Sequence, residues 1–414
     1  LLFFKQLKNY GVYFFDINHY PFSYATYPPI FLFVIWFFEL FFPSSLMAGR
    51  FASLFSVTLI APVLYFLLQR KIANKFYALL LTLCYLSFWS IFVFGGVGRL
   101  DTLVCLWILI GFWLFEKYSE PYDRKRYWAF LFFILAFFTK QNSILAPICI
   151  FFYLLLKKEE RKHFLPSLFI YATPIIIMVL AFNLYTHGEF LKHLFFYTVN
   201  REWRPFWFEK GMEYYLGDMK ILLGIGILGL FSKQSFAKTN FIYLMYFLLT
   251  LASLRTIGLT TSNVNYFLEP QLANVLFAGV VLGGFFKSGA KEIVPSGRTL
   301  ILIALIFLQA FSVLIFRTEK KIRNDYWMPG THYILAYPVY RELDQRIKNT
   351  KGDILSENLT ALLTNDREVF FGCSYPQAED GKWSPKELVQ DCQRKRFSLI
   401  VSAWRYAGIS ELQK

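Results

Sequence analysis

FGGVGRLD, residues 94–101, joins two strongly apolar segments and places an arginine and an aspartate between them. An ionisable group at a membrane boundary is a candidate functional residue, because burying its charge is costly. In this arrangement the Asp101 carboxylate can activate a hydroxyl while Arg99 holds a phosphate. The structural alternative is that Asp101 caps a helix N-terminus and Arg99 reaches for lipid phosphates.

The whole chain has the composition of a membrane protein. Of its 414 residues, 56% are hydrophobic and 49 are phenylalanine. Apolar runs of roughly 15 to 20 residues recur from Phe51 to Phe316 with short basic loops between them, which is the pattern of polytopic helical membrane proteins. Lysines and arginines in alternate loops account for the net charge of +15, so the charge does not indicate a nucleic-acid partner.

The predicted fold class is an all-α polytopic membrane protein with about ten spans and a juxtamembrane helix. Residues 30–42 are apolar over only about 20 Å of helix, less than a bilayer core of roughly 30 Å, so we interpret them as a juxtamembrane or re-entrant helix. With that choice the basic loops fall inside, and the positive-inside rule places Asp101 on the extracytoplasmic face. The spans are expected near 51–69, 77–94, 102–116, 127–139, 144–156, 164–183, 220–231, 241–254, 268–286 and 299–316.

Three domains are predicted. Residues 1–50 are expected to be an extracytoplasmic juxtamembrane loop, truncated because the chain starts without methionine; residues 51–316 form the transmembrane domain, and residues 317–414 a small extracytoplasmic α/β domain. In this last domain the pattern predicts helices over 333–348 and 384–396 and strands over 353–356, 369–371 and 397–403. Its two cysteines, Cys373 and Cys392, are equally compatible with a disulfide and with free thiols.

Four polar motifs fall on one predicted side of the membrane. They include two cations, Arg99 and Lys140, which suit the phosphate of an anionic lipid, and acceptors and donors for sugar hydroxyls. The structural alternatives are snorkelling for Lys140 and backbone capping for Asn263 and Asn265. The motifs are Tyr27-Pro28-Pro29, Arg99 with Asp101, Thr139-Lys140-Gln141, and Ser262-Asn263-Val264-Asn265-Tyr266-Phe267-Leu268-Glu269.

No cofactor is predicted, and the use of a divalent metal stays open. Neither a CxxC nor an HExxH pattern occurs in the sequence. His187, Glu189 and His193 share one outside loop, predicted to run over residues 184–220, but they lack a compact ligand motif. The aromatic and basic segment 201–207 of the same loop is interpreted as an interfacial anchor belt.

Taken in order, these motifs resemble those of GT-C type membrane glycosyltransferases, in the bacterial glycosyltransferase family 39-like branch of the protein O-mannosyltransferase and aminoarabinose transferase superfamily. The resemblance implies transfer of a hexose or pentose from a polyprenyl-phosphate donor, with inversion, to an extracytoplasmic protein, lipid or glycan, in a bacterial-type inner membrane. It rests on Gly11, Tyr13, Asp16, Tyr27-Pro28-Pro29, Gly98-Arg99-Leu100-Asp101, Thr139-Lys140-Gln141 and Asn265-Tyr266-Phe267-Leu268-Glu269.

The resemblance also implies roles for individual residues. Asp101 matches the family's second acidic position and Asp16 is a further catalytic candidate, whereas the principal acidic base would fall before Leu1. Arg99 and Lys140 are implied to bind the donor phosphate; Tyr27 stands where some relatives have lysine, so no phosphate contact is carried over to it. The substrate cavity is implied to include Tyr27, Gln141, Asn263, Asn265, Tyr266 and Glu269. A lipid or glycan transporter or flippase, and a non-catalytic lipid-binding subunit, are the alternative functions.

Overall fold

The computed structural model describes residues 2–19, 24–72, 74–119, 123–197, 201–237, 239–259, 262–288, 337–356 and 386–401. Up to residue 288 the described chain is built from helices joined by short turns. Shorter 3-10 helices precede α7, α9, α12 and α13, another, Leu254–Gly258, follows α12, and a π-helix, Lys192–Phe196, follows α10. The α-helices are α1 (Leu2–Tyr10), α2 (Ile30–Glu39), α3 (Ser45–Ile72), α4 (Lys75–Leu86), α5 (Trp89–Gly96), α6 (Asp101–Lys117), α7 (Trp128–Thr139), α8 (Leu145–Leu156), α9 (Phe164–Tyr185), α10 (Glu189–Leu191), α11 (Pro205–Gly229), α12 (Asn240–Ser253) and α13 (Leu268–Ser288).

Helix length limits how many of these elements cross a bilayer unaided. Among the described residues, four helices are long and apolar enough to cross a bilayer: α3, and α9, α12 and α13 together with their 3-10 extensions. The bent pair of α4 and α5 makes a fifth span if it is counted as one. Helix α2, with ten residues, has the short length expected of a juxtamembrane element. A total of ten spans stays a prediction, and the span predicted at 299–316 lies outside the described residues.

Two elements differ from the sequence prediction. The span expected at 77–94 is broken into α4 and α5, which are bent by 63°. The break follows from Phe88, which is extended with ψ 137°, and from Ser87, whose hydroxyl donates to the Cys84 carbonyl at 2.7 Å. The loop expected at 184–220 ends much earlier, because α11 begins at Pro205, a residue whose missing N–H costs nothing in the first turn of a helix.

Helix α6 lies in the middle of the bundle and positions the candidate site. It packs against α3, α7 and α13, and most of its side chains are buried. Gly111 is in contact with the Phe133 ring of α7, so closely that a Cβ would lie 2.6 Å from a ring carbon. Buried ion pairs mark both ends of α6, Asp101 with Lys140 at the start and Glu116 with Lys71 near the finish.

The described residues after 288 form α14 (Tyr337–Asn349), β1 (Asp353–Ser356), α15 (Lys386–Gln393) and β2 (Phe397–Val401). Strands β1 and β2 are parallel, with Ile354 opposite Leu399 and Leu355 opposite Ile400. These elements lie where the sequence predicts helices and strands. The strand expected at 369–371 and Cys373 lie outside the described residues, so the α/β domain and the state of the cysteines stay predictions.

Candidate active site

The Asp101 carboxylate is buried, 4% exposed, where three elements meet. Its Oδ1 accepts hydrogen bonds from Lys140 Nζ at 2.8 Å and Asn265 Nδ2 at 2.9 Å. Its Oδ2 lies 3.6 Å from Arg99 Nε and accepts no hydrogen bond from the described residues. The Asp101 carboxylate does not cap helix α6, which has no side-chain cap. It is engaged by two cations and an amide instead. We call Asp101, Arg99, Lys140 and Asn265 the Asp101 cluster.

A tight turn against α3 holds the backbone of this cluster. Gly98 has φ +66°, and a Cβ there would lie 3.1 Å from the Gly49 carbonyl carbon and 3.2 Å from the Arg50 nitrogen. Ser53 of α3 then fixes Arg99, because its hydroxyl donates to the Arg99 carbonyl at 2.7 Å and accepts from the Arg99 N–H at 2.8 Å. The Arg99 side chain remains 40% exposed, so it is accessible to a ligand.

Lys140 is directed into the site and not toward lipid headgroups. It follows the last residue of α7, its side chain is 13% exposed, and it forms the ion pair with Asp101. Its ammonium also lies 4.9 Å from the centre of the Tyr266 ring, a cation–π distance. The structure therefore disfavours snorkelling for Lys140, which was the structural alternative.

A third cation, Arg201, is connected to the cluster through Tyr266 and was not among the predicted site residues. Its guanidinium interacts with the hydroxyls of Tyr24 and Tyr266. Burial raises the pKa of Tyr24 to about 12, although Arg201 acts in the opposite direction, so this hydroxyl is neutral at physiological pH. Burial also raises the pKa of Tyr27, whose hydroxyl is within electrostatic reach of Lys140, Asp101 and Arg99. We call Tyr24, Tyr27 and Tyr266 the tyrosine group.

The remaining predicted cavity residues have different surroundings. Gln141 Nε2 donates to the Thr26 carbonyl at 2.9 Å and to the Leu194 carbonyl at 3.3 Å, which connects two loops. Asn263 caps the short helix before α13 through the Val264 N–H, as in the structural alternative, and it also lines a cavity beside α11. Glu269 lies one helical turn beyond Asn265 and accepts a hydrogen bond from the Tyr246 hydroxyl at 3.1 Å.

The contacts of Asp16 and the loop histidines are with groups other than Asp101. Asp16 Oδ1 accepts from the backbone and side-chain nitrogens of Asn18, at 2.9 and 3.2 Å, in a local turn. His193 is buried and bonded to backbone groups, whereas His187 is exposed with φ 51°. Among the described residues no three His, Cys, Asp or Glu side chains are grouped as a metal site would require.

Two comparisons with known proteins bear on the identity of this fold. Residues 26–185 match the sequence profile of the dolichyl-phosphate-mannose-protein mannosyltransferase family. The fold is similar to that of ArnT from Cupriavidus metallidurans, solved with bound undecaprenyl phosphate, with a TM-score of 0.61, 14% sequence identity, and coverage of 94% of this chain and 85% of that one. The resemblance to GT-C type membrane glycosyltransferases is confirmed. A comparison with curated protein sequences gives no match.

The GT-C resemblance and the site geometry involve the same part of the chain. The matched residues 26–185 include Tyr27, Arg99, Asp101, Lys140 and Gln141. Arg201, Asn265 and Glu269 lie beyond the match, and the fold brings Asn265 into hydrogen-bond contact with the matched residue Asp101. At 14% identity the likeness to ArnT establishes the fold alone, so the role of each residue is argued from its own contacts.

Proposed function

We propose that the chain is a membrane glycosyltransferase that moves a monosaccharide from a polyprenyl-phosphate donor to an extracytoplasmic acceptor with inversion. The observation that carries the proposal is the Asp101 cluster, a buried carboxylate held by Lys140, Asn265 and Arg99 beside a third cation, Arg201. The ArnT structure of the same fold contains a polyprenyl phosphate, which supports the choice of donor.

In the proposed reaction, the bond between the anomeric carbon and the donor phosphate oxygen breaks as the acceptor oxygen or nitrogen forms its own bond to that carbon. The phosphate leaves with an additional negative charge, which Arg99, Lys140 and Arg201 stabilise, and the proton that the acceptor loses passes to a carboxylate base. Asp101 orients the acceptor or the sugar through Oδ2, the oxygen that accepts no hydrogen bond from the described residues. The rings of Tyr27 and Tyr266 lie next to these charges.

Loop charges support an extracytoplasmic site. The end of the bundle opposite Asp101 holds Lys71 and Glu116 as a buried pair and, in the sequence nearby, Arg70, Lys117 and the basic run 124–126. The positive-inside rule assigns such an end to the cytoplasm. Helix α6 runs from one end to the other, about 25 Å at 1.5 Å per residue, which supports a position of Asp101 toward the outer face.

The test measures release of polyprenyl phosphate from a synthetic polyprenyl-phosphate monosaccharide by the full-length protein in lipid nanodiscs. We expect Asp101→Asn to lower turnover by at least about 100-fold, the range in which an acid–base or orienting group contributes. Glu116→Gln is the matched control, because Glu116 is a buried, ion-paired carboxylate at the other end of the same helix. Unchanged turnover in a folded Asp101→Asn protein would remove Asp101 from the proposal, and donor binding without any sugar release would favour the lipid-binding subunit.

A further inference from the structure

His193 lies next to the candidate site, yet no step of the proposed reaction uses it. It sits in the π-helix after α10, and its ring is completely buried. Nδ1 accepts a hydrogen bond from the Ala25 N–H at 3.0 Å, and Nε2 lies 2.6 Å from the Phe15 carbonyl oxygen. Because the Ala25 N–H is a donor and the Phe15 oxygen an acceptor, these partners select the neutral tautomer that carries its proton on Nε2.

The ring also supports the tyrosine group. It stacks on Tyr24, with ring centres 5.8 Å apart and planes at 22°. Tyr24 precedes Ala25, and its hydroxyl interacts with Arg201. Two further bonds fix the next residues, from Gln141 to the Thr26 carbonyl and from Tyr13 to the Tyr27 carbonyl. One imidazole therefore holds the start of a segment that presents two tyrosines to the three cations.

The charged groups around His193 favour the imidazolium, but burial opposes it. Glu189 Oε2 lies 3.9 Å from Nε2, and Glu189 is itself paired with Lys192 at 2.6 Å. Asp16 contributes a weaker attraction from the first loop, and the rings of Tyr24 and Tyr197 also contact the imidazole. Desolvation outweighs these carboxylates and lowers the pKa of His193 below its ordinary value.

We propose that His193 is a positioning residue for the donor site, whose neutral ring holds residues 24–27 in place and thereby keeps Arg201 and the tyrosine group against the donor phosphate. This inference rests on the proposed function. Protonation puts a second N–H opposite the Ala25 N–H, so the bond at Nδ1 is lost and the ring is driven toward water. Tyr24, which stacks on the ring and adjoins Ala25, moves with it.

The direction of the pH effect follows from linkage. With the segment released, His193 titrates near its ordinary pKa of about 6.5, whereas in the closed segment its pKa is lower. The neutral ring therefore stabilises the closed segment fully above about pH 6.5, and this stabilisation is lost as the pH falls below that value. The loss amounts to at most about tenfold in the closing equilibrium per pH unit, until the pKa of the closed form is reached.

Hydrogen exchange of the full-length protein between pH 5 and pH 8, corrected for intrinsic rates, measures the closing equilibrium without any substrate. We expect protection of the amides of residues 24–27 to fall below about pH 6.5 in the wild type and in His187→Gln, since His187 is an exposed histidine of the same loop. In His193→Gln, whose amide keeps a donor and an acceptor but does not titrate, protection should be lower and independent of pH. In Glu189→Gln, which removes a carboxylate that favours the imidazolium in the closed segment, the loss should begin at the same pH as in the wild type but continue to a lower pH and become larger.

The donor KM of the same variants, measured with the synthetic polyprenyl-phosphate sugar, should follow the same pH profile. A loss of protection at low pH that persists in His193→Gln would overturn the proposal. A Glu189→Gln protein whose protection has the same pH profile as the wild type would also overturn it. If the exchange profiles are as expected but no sugar is released at any pH, the positioning role stands and the proposed transferase function fails.

Discussion

Replacing Lys140 by methionine tests whether the Asp101 cluster is held together by charge. At 2.8 Å and an effective dielectric constant of about 20, the attraction between Lys140 and Asp101 is about 6 kcal/mol before the desolvation of both groups is subtracted. Removing one partner of a buried pair typically costs about 3 to 5 kcal/mol, because the other charge stays buried. Arg99 lies 3.6 Å from the free Asp101 oxygen and Asn265 keeps its bond, so we expect about 3 kcal/mol for Lys140→Met.

The double variant distinguishes charge from packing. Once Lys140 is gone, Asp101→Asn removes the uncompensated charge and still offers an oxygen to Asn265, so we expect it to restore most of the lost free energy of unfolding. The assay is a double-mutant cycle by denaturant titration in mixed micelles, with Lys75→Met, an exposed lysine, as the control. If Lys140→Met with Asp101→Asn is no more stable than Lys140→Met alone, the reasoning about this pair is refuted.

Two further predictions concern the residues around the cluster. Arg201→Gln should raise the donor KM about 10- to 100-fold, which corresponds to the loss of one hydrogen bond to a charged group. The control is Arg255→Gln, which removes an arginine stacked on Trp203 and should leave the donor KM unchanged. Equal effects of the two variants in the transfer assay would contradict the assignment of Arg201. Gly98→Ala should lower the free energy of unfolding, measured by thermal unfolding, by about 2 kcal/mol or more, because residue 98 has φ +66° and its new Cβ would lie against the α3 backbone. The control is Gly96→Ala, where a Cβ has open space, and it should not lower the stability. A Gly98→Ala protein as stable as the wild type would show that the turn tolerates a side chain.

Some of this architecture could be predicted because its signals are local. Composition and apolar runs predict a helical membrane protein, and the short run at 30–42 predicts a short helix, which the structure has as α2. Each polar motif lies next to a helix end, so assigning loops to sides groups Arg99, Asp101, Lys140 and Asn265 before any coordinates exist. The break between α4 and α5 has no such signal, because residues 84–91 contain neither glycine nor proline and both halves are apolar.

The remaining site residues act through contacts that are distant in sequence. Ser53 is one serine in a long apolar helix, and only the fold shows that it binds the backbone of Arg99, 46 residues later. Arg201 begins an aromatic segment that is typical of an interfacial anchor, so its contacts with Tyr24 and Tyr266 could not be read from the local pattern. His193 bonds to Phe15, 178 residues earlier, and no periodicity connects those two positions.

The balance of charge around Asp101 has a consequence for the proposed reaction. Arg99, Lys140 and Arg201 bring three positive charges, Asp101 brings one negative charge, and an ionised Glu269 one turn further along α13 would still leave the balance positive. A polyprenyl-phosphate sugar is a phosphodiester with one negative charge, whereas the polyprenyl phosphate that leaves is a monoester with a charge between about −1.5 and −2 at neutral pH. A site with excess positive charge therefore interacts more strongly with the departing phosphate than with the intact donor. Interactions that strengthen toward the transition state accelerate the chemical step, so we expect these cations to contribute to turnover as well as to donor affinity.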